Sequence, residues 1–372
     1  MNIVITGGLG FIGRHLATRL LAAGHDVLLI DSLTPQIHGE IPAVEVPQGA
    51  RFVRFDVTRL QERADLIDGC DAVFHFAAET GTAQSMYRIA HYTNANCGST
   101  AALLEAIAKC GRRPRQVVVT SSRSVYGEGA YVRPDAPTQI LQPLPRTPEA
   151  LAAADWEPRD ADGTVLRAAP TPESLHFAPG SVYAATKAAQ ELLLNSAAAA
   201  LGFKSTIFRP QNVFGEGQSL QNPYTGIISI FFNRARQGLP IPIYEDGLES
   251  RDFVHVSDVT AAMEACLSAE LPPGAAINLG SGLATSVREL AATLLASAGL
   301  DVPVRVTGQY RVGDIRHGYA DLAVARRLLG FEPRVLLADG LRRFCAWAAT
   351  QPVHVDRSEQ ATAELRSNGL TN

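Results

Sequence analysis

The chain has 372 residues, 46% of them hydrophobic and 19% charged, with a formal net charge of −4. That length outgrows one ordinary core and suits two lobes of unequal size. The mild acidity leaves no footprint for nucleic acid or an anionic membrane surface, and no apolar run approaches the ~20 residues that cross a bilayer.

The chain opens on a strand, Asn2–Thr6, with no basic or cleavable apolar stretch ahead of it, which suits a cytoplasmic protein. A helix is predicted from about Phe11 to Ala23, stopped by Gly24. Apolar runs follow at Val27–Ile30, Phe52-Val53, Val73–Phe76 and Val117–Thr120, then Ser205–Phe208 after helical stretches around Asn94–Lys109 and Tyr183–Leu201. Continuous apolar strands separated by helices predict a parallel sheet covered on both faces. The expected class is therefore α/β: a Rossmann-type doubly wound parallel sheet over residues 1–210 with a smaller C-terminal α/β substrate lobe over residues 211–350. That lobe is expected to hold short strands at Ile241–Tyr244 and Ala276–Leu279, and helices at Val259–Ser268, Val287–Ala298 and Asp321–Leu329. The polar residues 351–372 read as a frayed, flexible tail. Between about 128 and 180, nine prolines interrupt the alternation. This insertion reads as a cover over the mouth of the site, or else as a surface decoration or oligomer contact.

Cys70, Cys97, Cys110, Cys266 and Cys345 are odd in number and scattered. None has metal-ligand spacing, so reduced buried thiols and no metal site are expected.

Gly7-Gly8-Leu9-Gly10-Phe11-Ile12-Gly13 follows a strand and opens a helix. Gly7 permits the tight turn, Gly10 lets the backbone approach a pyrophosphate, and Gly13 lets helix and strand pack closely. Asp31 ends the second strand, where a carboxylate accepts bonds from adenosine ribose hydroxyls and repels a 2′-phosphate. NAD is therefore expected rather than NADP, against the alternative of Asp31 as a turn residue. Asp56-Val57 are placed to meet the adenine edge. Tyr183 and Lys187, four apart, share one helical face. A phenol near pKa ~10 is a poor base at neutral pH, and a nearby ammonium favours its phenolate. Ser121-Ser122 end a strand at the sheet edge where ligands bind.

Together with His75-Phe76-Ala77-Ala78, Asn96-Cys97-Gly98-Ser99, Ser121–Gly127 and Arg251-Asp252-Phe253-Val254-His255-Val256, these motifs resemble the extended short-chain dehydrogenases of the nucleotide-sugar epimerase/dehydratase family over roughly residues 1–345. The resemblance implies NAD bound by Gly7, Gly10, Phe11, Ile12, Gly13, Asp31, Asp56, Val57, Phe76, Ala77, Ala78 and Asn96, with Tyr183 and Lys187. It implies Ser122 as the hydroxyl on the reacting sugar oxygen, Tyr183 as base and Lys187 as its partner. Asn212 falls at the sugar–diphosphate and Arg251 and Arg311 at the diphosphate, where a planar guanidinium binds oxygens in pairs. Gln84, Ser85, Arg123, Ser124 and Asp314 are further expected substrate contacts; Arg123, which departs from the small residue of galactose-type epimerases, either reads a substrate carboxylate or hydroxyl or anchors the insertion. A homodimer is implied as well, through the helices near Asn94–Lys109 and after Tyr183.

Family members that eliminate water resemble one another in a Thr-Asp-Glu acid pair, which this chain replaces with Ser122-Arg123-Ser124. Arginine is no acid at neutral pH. Decarboxylases usually keep a glutamate at position 124, and reductases and 3,5-epimerases carry a cysteine nearby; neither is here. The remaining chemistry is 4-epimerisation. Ala77–Ser85, Ser121–Gly129, Asn222–Gly226, Gly313–His317 and the insertion are similar to the dTDP-L-rhamnose 4-epimerase type. A UDP-sugar or UDP-uronate 4-epimerase, a net nucleotide-sugar dehydrogenase and a dinucleotide sensor stay open as alternatives.

Overall fold

The computed structural model describes residues 1–39, 45–220, 222, 226–354, 356 and 358–371. Seven parallel strands form the main sheet: β1 (Asn2–Thr6), β2 (Asp26–Asp31), β3 (Arg51–Arg54), β4 (Ala72–His75), β5 (Gln116–Thr120), β6 (Lys204–Pro210) and β7 (Ala275–Leu279), in the order β7-β6-β5-β4-β1-β2-β3. The order reverses between β1 and β4, so the loops leaving those two strands part and open a crevice at their carboxyl ends. The helices that matter below are α1 (Phe11–Ala22), α2 (Ser99–Lys109), α3 (Val182–Leu201), α4 (Ile227–Ala235), α5 (Val256–Ala265), α6 (Val287–Ala298), α7 (Leu337–Ala349) and α8 (Ser358–Ser367).

Alternate strand residues face opposite layers, as the pleat requires. Ile3, Ile5, Val27, Leu29 and Phe74 pack with α1 and α5; Val4, Leu28, Ile30, Val73, Val117 and Val119 pack with α2 and α3. α3 starts where the Ser181 hydroxyl accepts from the Ala184 amide at 3.2 Å and stops at Gly202, left-handed at φ 74°. Between them lies an alanine-rich run with no β-branched cluster, which favours a long uninterrupted helix. The second lobe has its own core, in which Phe231, Phe232, Leu290, Leu294, Leu341 and Phe344 of α4, α6 and α7 meet.

Three expectations are corrected. Ala275–Leu279 belongs to the main sheet, paired with β6, rather than to the smaller lobe; without it β6 would present an open edge. α5 and the helix Ala323–Leu329 likewise pack on the main sheet, so the chain crosses between layers more than once after residue 211. Within residues 351–372, expected to be a frayed tail, Ser358–Ser367 form α8, with Leu365 3% exposed. Of the insertion at 128–180, expected as a cover, only Gly180 lines the cavity. The insertion's strands Tyr131–Arg133, Ala136–Leu141 and Arg167–Ala168 make a small antiparallel sheet. None of residues 124–179 lines the cavity. It braces the second lobe instead, with Arg316 bonded to Glu157 of the insertion and to Glu245 and Asp246. Pro223, Tyr224 and Thr225 of the motif at 222–226 lie outside the described residues. Among the described residues no helix is long and apolar enough to cross a membrane, and all five cysteines are free.

A charged residue in a buried strand needs a partner, and Arg209 of β6 has one. Its guanidinium grips both Glu191 carboxylate oxygens at 2.7 and 2.9 Å and donates to the Tyr126 hydroxyl at 2.8 Å. Arg209→Met leaves Glu191 buried and unpaired. It is expected to cost about 3–5 kcal/mol, read as a lowered urea midpoint.

Candidate active site

A cavity of about 1200 Å³ runs along the carboxyl ends of β1, β2, β4 and β5 and on into the second lobe. At its first end Gly7 sits at φ +65°, and a Cβ there would lie 2.7 Å from the Ala77 amide. A Cβ on Gly13 would meet the Gly7 carbonyl at 2.5 Å. The loop therefore packs against β4 and the first turn of α1 only as glycine. α1 begins at Phe11 with no side chain capping its amides. Its first-turn N–H groups and dipole are left for an anion. Phe11, Ile12, Phe76, Ala77 and Ala78 line the same wall.

Asp31 closes this end. Its carboxylate accepts from the amides of Leu9 and Leu33 at 3.0 and 2.9 Å. Burial pushes its pKa up, but the His38 bond and those amides outweigh burial and hold the group below its ordinary range. It stays anionic, with lone pairs left for hydroxyl donors. Asp56 and Val57 also line the cavity, the Asp56 carboxylate accepting from the amide and hydroxyl of Thr58. These residues fit a dinucleotide with a free 2′-hydroxyl. Among the described residues no cluster could hold a metal ion.

At the centre Ser122, Tyr183 and Lys187 come together. The Lys187 ammonium donates to the Thr120 carbonyl at 2.9 Å and lies 6.0 Å from the Tyr183 ring centre. Burial pushes its pKa down to about 8, against the pull of Cys97 and Glu191. Burial also raises the Tyr183 phenol; its bond with the Ser122 hydroxyl and the charge of Arg123 draw it back. The charge drawing this phenol down is that of Arg123, whereas sequence spacing pointed to Lys187, which lies 6.0 Å from the ring centre. Arg123 donates from Nε to the side-chain oxygen Oδ1 of Asn212 at 2.9 Å and lines the cavity. Burial and the neighbouring Arg251 push it down to about 10.

Arg251 is largely committed to the protein. Its terminal nitrogens donate to Asp314 at 2.9 Å and to the carbonyls of Ser250, Ile315 and Arg316. That leaves its charge and its Nε for a ligand. Arg311 is more open: it lies 4.8 Å over the Tyr244 ring, and its buried Nε has no hydrogen-bond partner among the described residues. Asp314 lines the cavity as well.

Four expected contact residues stand behind the cavity wall. Asn96, fully buried, accepts from the Glu79 amide and donates to Thr186. Gln84 bonds Gln36 and Tyr92. The Ser85 hydroxyl accepts from the Tyr183 amide at 2.9 Å and so helps set the start of α3. Ser124 donates its amide to the Ser122 hydroxyl at 3.2 Å. Small polar residues near a site position it as readily as they touch a ligand, and spacing does not distinguish the two. Sequence reasoning passed over Tyr244, and also the Glu79–His91 pair, 3.2 Å apart on the cavity wall.

The family described as "NAD dependent epimerase/dehydratase family" matches residues 3–153 and 162–280. The chain is 38% identical over 360 residues to a dTDP-L-rhamnose 4-epimerase of Burkholderia thailandensis, covering 94% of this chain and 95% of that one. The UDP-glucose 4-epimerase of Thermotoga maritima, solved with UDP-glucose, superposes with a TM-score of 0.76 at 27% identity, over 94% and 99% of the two chains. MoeE5, solved with UDP-glucuronic acid and NAD, does so at 0.75 and 29%, with the same coverage.

The Tyr183 phenol ionises as pH rises, and removing a nearby cation disfavours the phenolate. Arg123→Leu is therefore expected to move the Tyr183 transition to higher pH. Tyrosinate absorbance, taken as the difference from a Tyr183→Phe control, reads this directly.

Proposed function

Within the NAD dependent epimerase/dehydratase family, to which this chain belongs, we propose that it acts as a 4-epimerase of a nucleotide-linked 6-deoxyhexose such as dTDP-L-rhamnose, through a transient 4-keto sugar. The observation that carries this reading is the group set at the reacting carbon: the Tyr183 phenol with the Ser122 hydroxyl, a buried ammonium and a guanidinium. No carboxyl occupies positions 122–124, where relatives that eliminate water resemble one another in an acid pair. Similarity at 38% identity to an enzyme named for dTDP-L-rhamnose supports the sugar.

Bound NAD supplies the hydride chemistry at carbon 4, out and back. Tyr183 takes the proton of the 4-hydroxyl and returns it after the keto sugar has turned over. Ser122 bonds the same oxygen. Lys187, held at the Thr120 carbonyl, keeps positive charge near the phenol and would hold the nicotinamide ribose. Asp31 selects against a 2′-phosphate. Arg311 and the remaining reach of Arg251 take the diphosphate. A cytoplasmic setting agrees with five cysteines that form no disulfide.

Arg123 favours one second reading, a UDP-uronate 4-epimerase, because a guanidinium in the cavity suits a sugar carboxylate. Incubation with dTDP-L-rhamnose and with UDP-glucuronate, followed by separation of the products, decides between them. With the accepted sugar, deuterium at carbon 4 is expected to stay at carbon 4 of the inverted product. Tyr183→Phe is expected to cut turnover about 100- to 10,000-fold with little change in binding. Loss of the label to water, or stoichiometric free NADH, rules epimerisation out.

We further propose a homodimer. Leu192 and Leu193 of α3 and nearby Ile89 are large apolar side chains left exposed at 58%, 37% and 54%. With the exposed alanines of α2 and α3 they form a face suited to a second copy of the chain. Light scattering at micromolar concentration is expected to give twice the chain mass; a monomer mass overturns this.

A further inference from the structure

The last residues of the chain return to the cavity. Thr362, Ala363, Leu365 and Leu370 line it, and Leu365 is buried. Their attachments converge on one side chain. Thr371 forms an antiparallel bridge with Arg311, and its hydroxyl donates to the Tyr310 carbonyl at 2.7 Å. The Val312 amide donates to the Leu370 carbonyl at 3.1 Å. The backbone on both sides of Arg311 is thereby fixed. Tyr244, the ring beneath the Arg311 guanidinium, has its hydroxyl 3.4 Å from that of Thr362 in α8. The far side of α8 is anchored to the cofactor half, where the Tyr87 hydroxyl donates to Glu364 at 2.9 Å.

We propose that the C-terminal segment 358–371 is a positioning strap for Arg311, and hence a working part of the diphosphate subsite. This rests on the nucleotide-sugar reading above. The orphaned Nε of Arg311 gives the strap its purpose: it is a buried donor that an anionic oxygen would complete. A guanidinium held by its backbone and by a ring platform loses little freedom when phosphate arrives. The strap also ties the two halves of the cavity together across its nucleotide end, because Tyr87 and Arg311 come from opposite sides.

The test uses the full chain and calorimetric titration with dTDP and with UDP. Leu365→Asp, which detaches α8, is expected to weaken the better-bound nucleotide about 10- to 100-fold. Tyr87→Phe, a milder release, is expected to weaken it less. Bound NAD(H) should remain as in the unaltered protein. In an Arg311→Ala background Leu365→Asp should cost nothing further, since both changes remove one interaction. Full affinity in both release variants, or additive losses in the double variant, overturns the strap alone. Failure of the unaltered chain to bind either nucleotide overturns the functional reading and the strap with it.

Discussion

A lysine ammonium only 3% exposed, bonded at 2.9 Å to the Thr120 carbonyl, sets the height of α3 above the end of β5. Tyr183 lies one turn earlier on the same face, and Ser122 lies two residues beyond Thr120, so this bond fixes where Tyr183 and Ser122 stand relative to each other. A shift of α3 by one residue would move Tyr183 by 1.5 Å along the axis and ~100° around it, off Ser122. The cost is visible in the protonation of Lys187, which burial brings from 10.5 to about 8. Below about 8 both the folded and unfolded chains hold the proton and the penalty is complete. Between about 8 and 10.5 the unfolded chain binds more protons, so this group makes stability rise with pH. The fold thus keeps an unfavourable charge buried beside the cavity.

How much the sequence disclosed follows the range of the interactions involved. β1, β2, β4, β5 and β6 are legible because strands buried on both faces are short continuous apolar runs, each read without knowledge of its neighbours. The glycine loop, Asp31 and the Tyr183–Lys187 pair are legible for the same reason, since each is a local pattern. The destination of Ala275–Leu279 is not local: its apolar residues suit either sheet, and only pairing with β6 decides. Nor is Thr371, whose hydroxyl acts on Tyr310 across a separation of 61 positions. Asn96, Gln84 and Ser85 carry the polar side chains of ligand contacts yet stand one layer back. Arg251 was placed at the diphosphate, and its proximity to Asp314 shows how far a guanidinium can be used up in building the wall beside it.

The segment carrying Arg311 and Asp314 is held from two directions. On one side the insertion reaches it through Arg146, which donates to the Asp314 carbonyl at 2.9 Å, and through Glu157 on the almost completely buried Arg316. Burial of that many charges is tolerable because each has partners of opposite sign. On the other side stands the C-terminal segment. Among the described residues the cofactor end rests on glycine packing, backbone amides and the Asp31–His38 pair, and Arg14 and His15 of α1 reach the carbonyls of Gly217 and Glu216.

The position of β7 has a consequence for biosynthesis. During synthesis from the N-terminus, β6 is complete by residue 210, but the strand that covers its edge does not exist until residue 279. For that interval the nascent chain presents an unpaired, apolar strand edge, the kind of surface that invites misassociation. The cofactor half is consequently not a domain that matures first and waits for its partner. Its last strand is encoded inside the half that follows, so the two must reach their final form together, and a gene fragment ending at residue 210 would encode an open sheet.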